Sequence, residues 1–234
     1  MKKIQHSTLS LISKKPEALI HIYYTYLSLE NHETLLEHYL AKFPADYQDK
    51  IRRFRRWEDA QLSLLGRILL YKGVEEIYQQ NPHNKILKHT EYNKPYFDDD
   101  KIQFNISHSG EIVVCALSDE HELGIDIEIV TDVTLTDFRS QLTENEWKKI
   151  TLSANKNDSF FEYWAQKEAV IKTHGHGLSI PLTSFEILEN KTVIENEDYY
   201  LQQLRIDKKY KCYLALKTNN SSITLKKYNT NEIL

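Results

Sequence analysis

Apolar and polar positions repeat with two different periods along the chain, and each period predicts a different kind of element. Residues 18–27 (ALIHIYYTYL) are rich in Tyr and Ile and predict a strand. Residues 31–43 place apolar side chains at helical spacing, and a longer amphipathic helix is expected from about residue 57 to residue 80. An Asn-Pro pair at 81–82 would end that helix, so this part of the chain predicts a strand followed by helices.

The middle of the chain predicts shorter elements. Strands are expected at 104–107 (FNIS) and 112–117 (IVVCAL), with a His-Ser-Gly turn between them. The segment LGIDIEIV at 123–130 alternates apolar and acidic residues, which is the pattern of a strand with one face buried. Residues 131–157 are polar, and we expect them to be mobile apart from a short helix that a T-x-x-E pattern at 143–146 would cap.

The last third of the chain predicts one well-defined helix and then several strands. Helical spacing runs through residues 159–174, an S-x-x-E capping pattern opens the segment, and Gly175 is placed to end it. The order of strand, helix and strands therefore occurs twice along the chain. We expect an α+β fold whose comparable halves are residues 18–120 and 121–234, preceded by a polar extension at 1–17.

Composition narrows the class of protein. The chain has 234 residues, 41% hydrophobic and 27% charged, which is typical of globular proteins. Its net charge of −4 provides no general attraction to nucleic acid or to anionic membranes. No run approaches the roughly 18 apolar residues that span a bilayer, and the basic start lacks the apolar run of a signal peptide. Cys115 and Cys212 stand alone in apolar runs, which is typical of a reducing compartment, so we expect a cytoplasmic protein.

Two carboxylates on the predicted strand at 123–130 form the first candidate site. Side chains alternate between faces along a strand, so Asp126 and Glu128 share one face while Ile125 and Ile127 occupy the other. Two neighbouring carboxylates repel each other unless solvent screens them or a cation lies between them. Hard divalent cations such as Mg²⁺ prefer oxygen ligands of this kind. A solvent-facing strand edge is the commoner explanation of such a pair taken alone.

A third carboxylate lies on the best-defined helix. Glu168 shares a helical stripe with the apolar Trp164 and Ile171, where a carboxylate is costly unless it is paired, hydrogen-bonded or metal-bound. An i,i+4 salt bridge to Lys172 at the edge of the core is the alternative. Together with the D-x-E strand, a carboxylate-only metal site with a nearby lysine explains the pattern better, and such a site indicates phosphate chemistry.

Two further segments are candidates for binding phosphate. The N-I-S-H-S-G sequence at 105–110 gathers small polar groups and a histidine where a turn could present hydroxyl, imidazole and backbone N–H groups to a phosphate. The segment at 46–56, with KIRRFRR at its centre, is strongly basic and could hold a polyphosphate or a nucleic-acid backbone. A plain hairpin turn and a solvated helix face are the commoner explanations of the two segments when each is taken alone.

These motifs in series resemble one family. N-I-S-H-S-G at 105–110, G-I-D-I-E at 124–128 and W-A-Q-K-E-A-V-I-K at 164–172 are similar to the signature of the 4′-phosphopantetheinyl transferases of the surfactin-synthetase-activating (Sfp) type. That signature is a G-[IV]-D strand followed by W-x-x-K-E-[AS]-x-x-K. The resemblance covers roughly residues 19–234 and also includes the segments 50–54, 58–66, 92–95 and 175–182.

The resemblance implies a pseudo-dimer of two similar α+β halves with coenzyme A in the cleft between them. Asp126, Glu128 and Glu168 would ligate Mg²⁺ on the diphosphate of coenzyme A, and Lys172 would neutralise diphosphate charge. The residues implied to hold coenzyme A are Lys50, His108 and, less directly, Ser63 and Ser107 at the 3′-phosphate, Lys94 and Pro95 along the adenine, and Lys172 at the diphosphate.

The implied reaction transfers the phosphopantetheine arm to a serine of an apo acyl, peptidyl or aryl carrier protein and releases adenosine 3′,5′-bisphosphate. Asp126 and Lys172 would support catalysis through charge, and Glu168 would act as a metal ligand ahead of a role as general base. A chain that carries both halves is expected to be a monomer. Docking of the carrier is expected at residues 131–157, where apolar side chains are available at Leu135, Phe138 and Leu142.

One position departs from the family pattern, and two other functions stay open. Relatives carry a second lysine three residues before Lys50, where this chain has Tyr47, so the 3′-phosphate would be held more weakly or by Arg52 or Arg53. A metal-dependent nuclease would also use D-x-E with E-x-x-x-K and a basic segment, although the net negative charge opposes this alternative. A non-catalytic carrier-protein binder is the third possibility, which the intact carboxylate set opposes.

Overall fold

Strands and helices occur in the predicted order through both halves of the chain. The computed structural model describes residues 18–98 and 101–233, so the predicted extension at 1–17 lies outside the described residues. The strands are β1 (Ala18–Tyr26), β2 (Leu87–His89), β3 (Pro95–Phe97), β4 (Gln103–Ser109), β5 (Ile112–Ser118), β6 (Leu123–Ile129), β7 (Lys191–Ile194), β8 (Glu197–Gln203), β9 (Tyr210–Leu216) and β10 (Ser221–Lys227). The helices are α1 (His32–Tyr39), α2 (Ala45–Arg52), α3 (Trp57–Tyr78), α4 (Glu144–Leu152), α5 (Lys156–His174) and α6 (Thr230–Ile233).

The described strands form two four-stranded sheets and one small hairpin. The first sheet has the order β10-β1-β5-β4, the second has the order β6-β9-β8-β7, and β2 pairs with β3. Neighbouring strands are antiparallel, except that β1 and β10 run parallel. The predicted boundary at residue 120 falls between β5 and β6, but the last strand returns to the first sheet. The C-terminal half therefore contributes to both sheets.

Four layers stack across the molecule. Leu65 of α3 is buried with Val113 on the outer face of the first sheet. A second core lies between the two sheets, where Ile22 of β1 is buried with Ile125 of β6. Helix α5 covers the remaining face of the second sheet. Each half therefore packs one long helix on a largely antiparallel sheet, which confirms the predicted α+β pseudo-dimer.

Strand β4 is longer than the sequence pattern predicts. It pairs with β5 as far as Ser109, so His108 belongs to the strand and the chain turns at Gly110. The predicted His-Ser-Gly turn is wrong by two residues, because polar side chains that are typical of turns here face strand β6. None of the helices in the described part of the chain is long and apolar enough to cross a bilayer.

Helix α5 begins earlier than predicted and ends where predicted. Its N-cap is Asn155, whose side chain accepts a hydrogen bond from the backbone N–H of Asp158. The S-x-x-E pattern at 159–162 therefore lies inside the helix and does not cap it. Gly175 ends the helix with a φ of +90°, a left-handed conformation that favours glycine.

The polar segment at 131–157 is folded onto α5, although the sequence predicted mobility. The capping box predicted at 143–146 is present at the start of α4, with both of its hydrogen bonds formed. Leu142 and Ile150 are fully buried in a cluster with Phe160 of α5. The predicted docking residue Leu142 is only 1% exposed, so it is not available to a partner in this structure.

Candidate active site

The alternation of β6 places its two acidic side chains opposite α5. Ile125 and Ile127 are buried in the core between the sheets, as the period of the strand predicts. The side chains of Asp126 and Glu128 therefore lie on the other face, which α5 covers. Asp126 is buried and Glu128 is half-buried. The position of the two carboxylates on one face is confirmed.

Gly124 sets how closely β6 approaches α5. A Cβ atom at this position would collide with the backbone carbonyl of Ala169 and the backbone nitrogen of Thr173 on α5. Only glycine allows this contact, because it has no side chain to separate strand and helix. The close approach brings Lys172 against Asp126, two residues further along the strand.

Lys172 and Asp126 form the centre of the site. The Lys172 ammonium lies 2.5 Å from Asp126 Oδ1 and donates to Ser107 Oγ at 3.0 Å. Ser107 in turn donates to Asp126 Oδ1 at 2.9 Å. The second oxygen, Asp126 Oδ2, is buried without a hydrogen-bond partner among the described residues. The i,i+4 alternative is not formed, because the ion pair of Lys172 within the described chain is with Asp126 and not with Glu168.

Burial raises the pKa of all three carboxylates, and the charge of Asp126 adds to this effect at Glu128 and Glu168. Desolvation raises the pKa of Asp126 despite the opposing charge of Lys172. Desolvation and then the charge of Asp126 raise the pKa of Glu128 to about 7. The pKa of Glu168 is raised by the same two causes and lowered by Lys172. The surroundings of the three carboxylates therefore disfavour their negative charge, and a bound cation would reduce this cost.

The donor set fits a hard divalent cation, although it is not closed around one. Among the residues that the structure describes, no three His, Cys, Asp or Glu side chains stand in the geometry of a metal centre. The unpaired Asp126 Oδ2 nevertheless provides a buried oxygen ligand beside Glu128 and Glu168. An all-carboxylate set of this kind suits Mg²⁺, which completes its coordination with water and substrate oxygens.

A pocket opens beside Glu168, one of these three carboxylates. It has a volume of about 260 Å³ and is lined by Lys94 and Pro95 of the hairpin and by Glu168 and Lys172 of α5. The Lys94 ammonium donates to the carbonyl of Thr173 at 3.3 Å, and burial lowers the pKa of Lys94. A larger cavity of about 430 Å³ also includes Lys94 and Pro95, but its lining contains none of the three carboxylates.

The residues expected at the 3′-phosphate are not among the described residues that line either cavity. His108 is exposed on β4, and its pKa is lowered first by partial desolvation and then by the charge of Lys172, with Lys50 acting in the same direction. The charges of Lys50 and Lys172 therefore act on His108, although Asp59 and Asp126 act in the opposite direction. Ser107 lies deeper than a phosphate contact would require, since its hydroxyl is engaged with Asp126 and Lys172.

Tyr47 occupies the position where the family pattern predicts a second lysine. Its ring is buried, with the Arg67 guanidinium 4.4 Å from the ring centroid. Its hydroxyl donates to the carbonyl oxygen of Ser63 at 2.7 Å. Arg52, one of the expected substitutes, donates to Gln48 on the same helix. Tyr47 is thus part of the core, and it supplies no positive charge.

The sequence pattern missed the most deeply buried charge near the site. Lys167 is 0% exposed, whereas the neighbouring Glu168 is only half-buried at the edge of the cleft. The placing of Glu168 in the middle of the apolar face was therefore wrong, because helical spacing alone cannot tell which side of α5 meets the second sheet. The sequence did contain one indication of this charge, because Lys167 is the lysine of the W-x-x-K-E motif.

Comparison with known proteins agrees with the geometry of both halves. The family model described as "4′-phosphopantetheinyl transferase, N-terminal" matches residues 30–120, and the model described as "4′-phosphopantetheinyl transferase superfamily" matches residues 122–225. Each half of the pseudo-dimer is therefore recognised separately.

Three bacterial relatives give the same result. The 4′-phosphopantetheinyl transferase Sfp of Bacillus subtilis strain 168 is 33% identical over 186 residues, which is 75% of this chain and 82% of that protein. The 4′-phosphopantetheinyl transferase gsp of Aneurinibacillus migulanus is 40% identical over 147 residues, 62% of this chain and 61% of the relative. The 4′-phosphopantetheinyl transferase ffp of Bacillus subtilis is 39% identical over 147 residues, 61% of this chain and 65% of the relative.

Similarity over both halves and the site defined by β6 and α5 together place the chain in a family. The protein belongs to the 4′-phosphopantetheinyl transferase family. Its matches to gsp and ffp span less than two thirds of those relatives, at 61% and 65% of their lengths.

Proposed function

We propose that the protein transfers the 4′-phosphopantetheine arm of coenzyme A to a serine of an apo carrier protein in an Mg²⁺-dependent reaction. The observation that carries this proposal is the meeting of Lys172 with Asp126, Glu128 and Glu168 beside the cleft pocket. The names of the relatives, which are phosphopantetheinyl transferases, support the same reaction class. The carrier would be an acyl, peptidyl or aryl carrier protein.

The reaction exchanges one bond at phosphorus for another. The serine oxygen forms a bond to the phosphorus that bears the pantetheine arm, while the bond from that phosphorus to the bridging diphosphate oxygen breaks. Adenosine 3′,5′-bisphosphate leaves with the bridging oxygen, and the serine proton passes to a base. Such transfers depend on positioning and charge stabilisation more than on covalent chemistry by the protein.

The residues of the site divide these tasks. Asp126, Glu128 and Glu168 are the proposed ligands of Mg²⁺, which when bound would supply positive charge at the diphosphate. Lys172 adds a second positive charge at the same place and already lies against Asp126. We assign Glu168 to the metal first, because a metal-bound carboxylate is a weaker base, and its role as general base is the alternative.

The cleft provides groups for the rest of coenzyme A. Lys94 and Pro95 line the pocket beside Glu168, which suits an adenine ring stacked along the hairpin. Lys50 and His108 are assigned to the 3′-phosphate, because the charges of Lys50 and Lys172 both act on His108. Ser63 is half-buried on α3 and is a further candidate for this contact. Ser107 is better suited to the carboxylates than to the phosphate.

Docking of the carrier is proposed at the exposed side of the 131–157 segment. Leu135 and Phe138 remain partly exposed, whereas Leu142 is buried. Phe138 also packs against Phe160 and Trp164 at centroid distances of 4.9 and 5.4 Å. A change at Phe138 that leaves the Michaelis constant for the carrier unaltered would remove this segment from the proposal.

One experiment tests the reaction directly. The protein is incubated with coenzyme A, Mg²⁺ and an apo carrier protein, and the carrier is then weighed by mass spectrometry. We expect the mass to increase by one phosphopantetheine with Mg²⁺ and to stay unchanged with EDTA. Absence of any gain across acyl, peptidyl and aryl carriers would overturn the proposal. A light-scattering measurement during gel filtration tests the expected monomer.

A further inference from the structure

The two sheets meet where the inner side of β4 crosses the free edge of β6. Three backbone N–H groups of β6 point toward β4, and each donates to a side-chain oxygen on that strand. We call these three bonds the side-chain ladder. They run from Ile125 N to Asn105 Oδ1 (3.0 Å), from Ile127 N to Ser107 Oγ (3.4 Å) and from Ile129 N to Ser109 Oγ (3.1 Å).

The ladder follows from the period of the two strands. Alternate residues of a strand share one face, and alternate N–H groups of a strand point to one edge. Polar side chains at 105, 107 and 109 therefore match the donors at 125, 127 and 129 one to one. The other edge of β6 pairs with β9 through the backbone. Side chains thus satisfy an edge that would otherwise be left with unpaired donors.

Two rungs of the ladder also hold the acidic side chains of the site. Ser109 Oγ donates to Glu128 Oε2 at 2.8 Å, and Ser107 Oγ donates to Asp126 Oδ1 at 2.9 Å. Asn105 accepts from the backbone N–H of Ile125, and it has no hydrogen bond to a carboxylate among the described residues. Two of the three side chains in the ladder, Ser107 and Ser109, therefore also donate to carboxylates, and Asn105 does not.

The chemistry of a hydroxyl fixes the direction of each bond. A serine hydroxyl has one proton to donate and lone pairs to accept with. The Ser109 hydroxyl donates to Glu128 and accepts from Ile129 N, so its two partners together fix the orientation of the hydroxyl group. The Glu128 carboxylate is half-buried near the like charge of Asp126, and without the bond from Ser109 it would be free to turn toward solvent.

We propose that Ser109 is a positioning residue. Its hydrogen bonds to Glu128 and to Ile129 N fix the Glu128 carboxylate at the contact between β4 and β6, and so hold it beside Asp126. The hydrogen bond from Ile129 N to Ser109 does not depend on the reaction. The effect of Ser109 on the binding of a divalent cation rests on the proposed function. Groups that orient metal ligands typically change metal affinity by about 10- to 100-fold when they are removed. Ser109 stands in that relation to Glu128.

The test compares three variants in the full-length protein, with Mn²⁺ as the probe for the divalent site. Ser109→Ala removes the rung and the carboxylate contact, Ser109→Thr keeps the hydroxyl, and Asn105→Ala removes a rung without a carboxylate contact. Free Mn²⁺ is measured by electron paramagnetic resonance with and without coenzyme A, because Asn105 also lines the pocket assigned to coenzyme A. We expect affinity to fall about 10-fold in Ser109→Ala and to recover in Ser109→Thr. The Mn²⁺ affinity of Asn105→Ala should stay within about twofold of wild type, because this variant loses a hydrogen bond between β4 and β6 but no contact with a carboxylate.

A second readout does not depend on any metal. Loss of the rung should raise the amide exchange rate of Ile129 about fivefold or more in Ser109→Ala, with recovery in Ser109→Thr. An unchanged exchange rate, or an Mn²⁺ affinity that falls no further in Ser109→Ala than in Asn105→Ala, would overturn the positioning role. Wild-type protein that binds no Mn²⁺ would overturn the proposed metal chemistry instead, and the exchange rates would still decide whether Ser109 secures the contact between β4 and β6.

Discussion

Lys172 Nζ lies 2.5 Å from Asp126 Oδ1, while the other oxygen of Asp126 is buried with no hydrogen-bond partner among the described residues. The ion pair does not compensate for burial, because desolvation still raises the pKa of Asp126. In the metal-free protein this carboxylate is therefore held at a cost to the free energy of unfolding. Such a cost is typical of a residue that serves chemistry more than folding.

Replacing Asp126 by asparagine should separate activity from stability. The variant loses an anionic ligand and a partner of Lys172, so we expect the rate of carrier modification to fall about 100-fold or more. The melting temperature of the metal-free protein should stay the same or rise, because a neutral amide is easier to bury. Mass spectrometry of the carrier and circular dichroism in EDTA measure the two effects.

Asp198→Asn is the matched control for this change. Asp198 is exposed and pairs with Lys191 at 2.9 Å, and that pair lowers its pKa. The control should keep full activity and show little change in stability, because exposed ion pairs contribute little. If Asp126→Asn lowered stability by several kcal/mol, the carboxylate would belong to the structural core and its assignment to the metal would lose its main support.

The metal-free protein should become less stable as the pH rises, through Glu128. Burial and the charge of Asp126 raise the pKa of Glu128 to about 7, from 4.5 for an unperturbed glutamate. Between these values the folded state binds more protons than the unfolded chain, so the destabilisation is absent below about pH 4.5 and complete above about pH 7. Allowing for solvent screening of a half-buried group, the effect is on the order of 1–2 kcal/mol.

Glu128→Gln isolates this contribution from the other titrating groups. Urea unfolding in EDTA at pH 5 and pH 8 gives the pH dependence of each protein. Wild type should lose more stability than Glu128→Gln between the two pH values, because only wild type carries the buried charge at pH 8. Equal losses of stability in the two proteins would show that the Glu128 carboxylate is well solvated and that the folded protein does not disfavour its charge.

Local rules were sufficient for the strand part of the site. The alternation at 123–130 placed Asp126 and Glu128 on one face, and the structure confirms this because Ile125 and Ile127 fill the core behind them. Strand geometry fixes which residues share a face, whatever the strand packs against. The turn after Gly110 was missed by two residues, since the polar side chains that suggested a turn are satisfied by β6, about 20 residues away in sequence.

The helical part of the site depended on contacts that spacing cannot supply. Helix α5 is buried on several sides, so a stripe containing Glu168 was no more informative than a stripe containing Lys167. The position of Tyr47 shows the same limit: the difference from a lysine was visible, but the burial of the ring under Arg67 depends on how α2 and α3 pack. Both details are set by tertiary contacts.

Replacing Lys167 by methionine should cost far more stability than replacing an exposed lysine. All three protons of the Lys167 ammonium have acceptors, the carbonyls of Leu182 (2.6 Å) and Phe185 (2.8 Å) and Glu146 Oε1 (2.9 Å). The methionine would leave Glu146, which is also 0% exposed, buried without its cation. Breaking such a pair typically costs about 3–5 kcal/mol.

Urea denaturation at neutral pH measures the loss, and Lys191→Met provides the comparison. Lys191 pairs with Asp198 at a distance of 2.9 Å, but both side chains are exposed. We expect Lys191→Met to lower stability far less than Lys167→Met does. If the two variants lost similar amounts, burial of the Lys167–Glu146 pair would carry no special weight in this fold.

Tyr47 should matter for stability and not for binding of the 3′-phosphate. Its hydroxyl is bonded to the carbonyl of Ser63, so Tyr47→Phe should cost about 1 kcal/mol in unfolding while changing the Michaelis constant for coenzyme A by less than about twofold. Lys50→Ala should raise that constant about 10-fold or more, because it removes a charged partner of the phosphate. Assays with coenzyme A and with 3′-dephospho-coenzyme A separate the two roles.

The comparison of the two substrates gives the sharpest result at this position. Lys50→Ala should lose most of the preference for coenzyme A over its 3′-dephospho form, whereas Tyr47→Phe should keep that preference. Tyr47→Lys, which restores the residue found in relatives, should unfold more easily, because it places an ammonium in a site that now holds a buried ring beside Arg67. A Tyr47→Lys protein that stayed stable and bound coenzyme A more tightly, with no change for the dephospho form, would contradict this assignment. Position 47 would then face the phosphate and not the core.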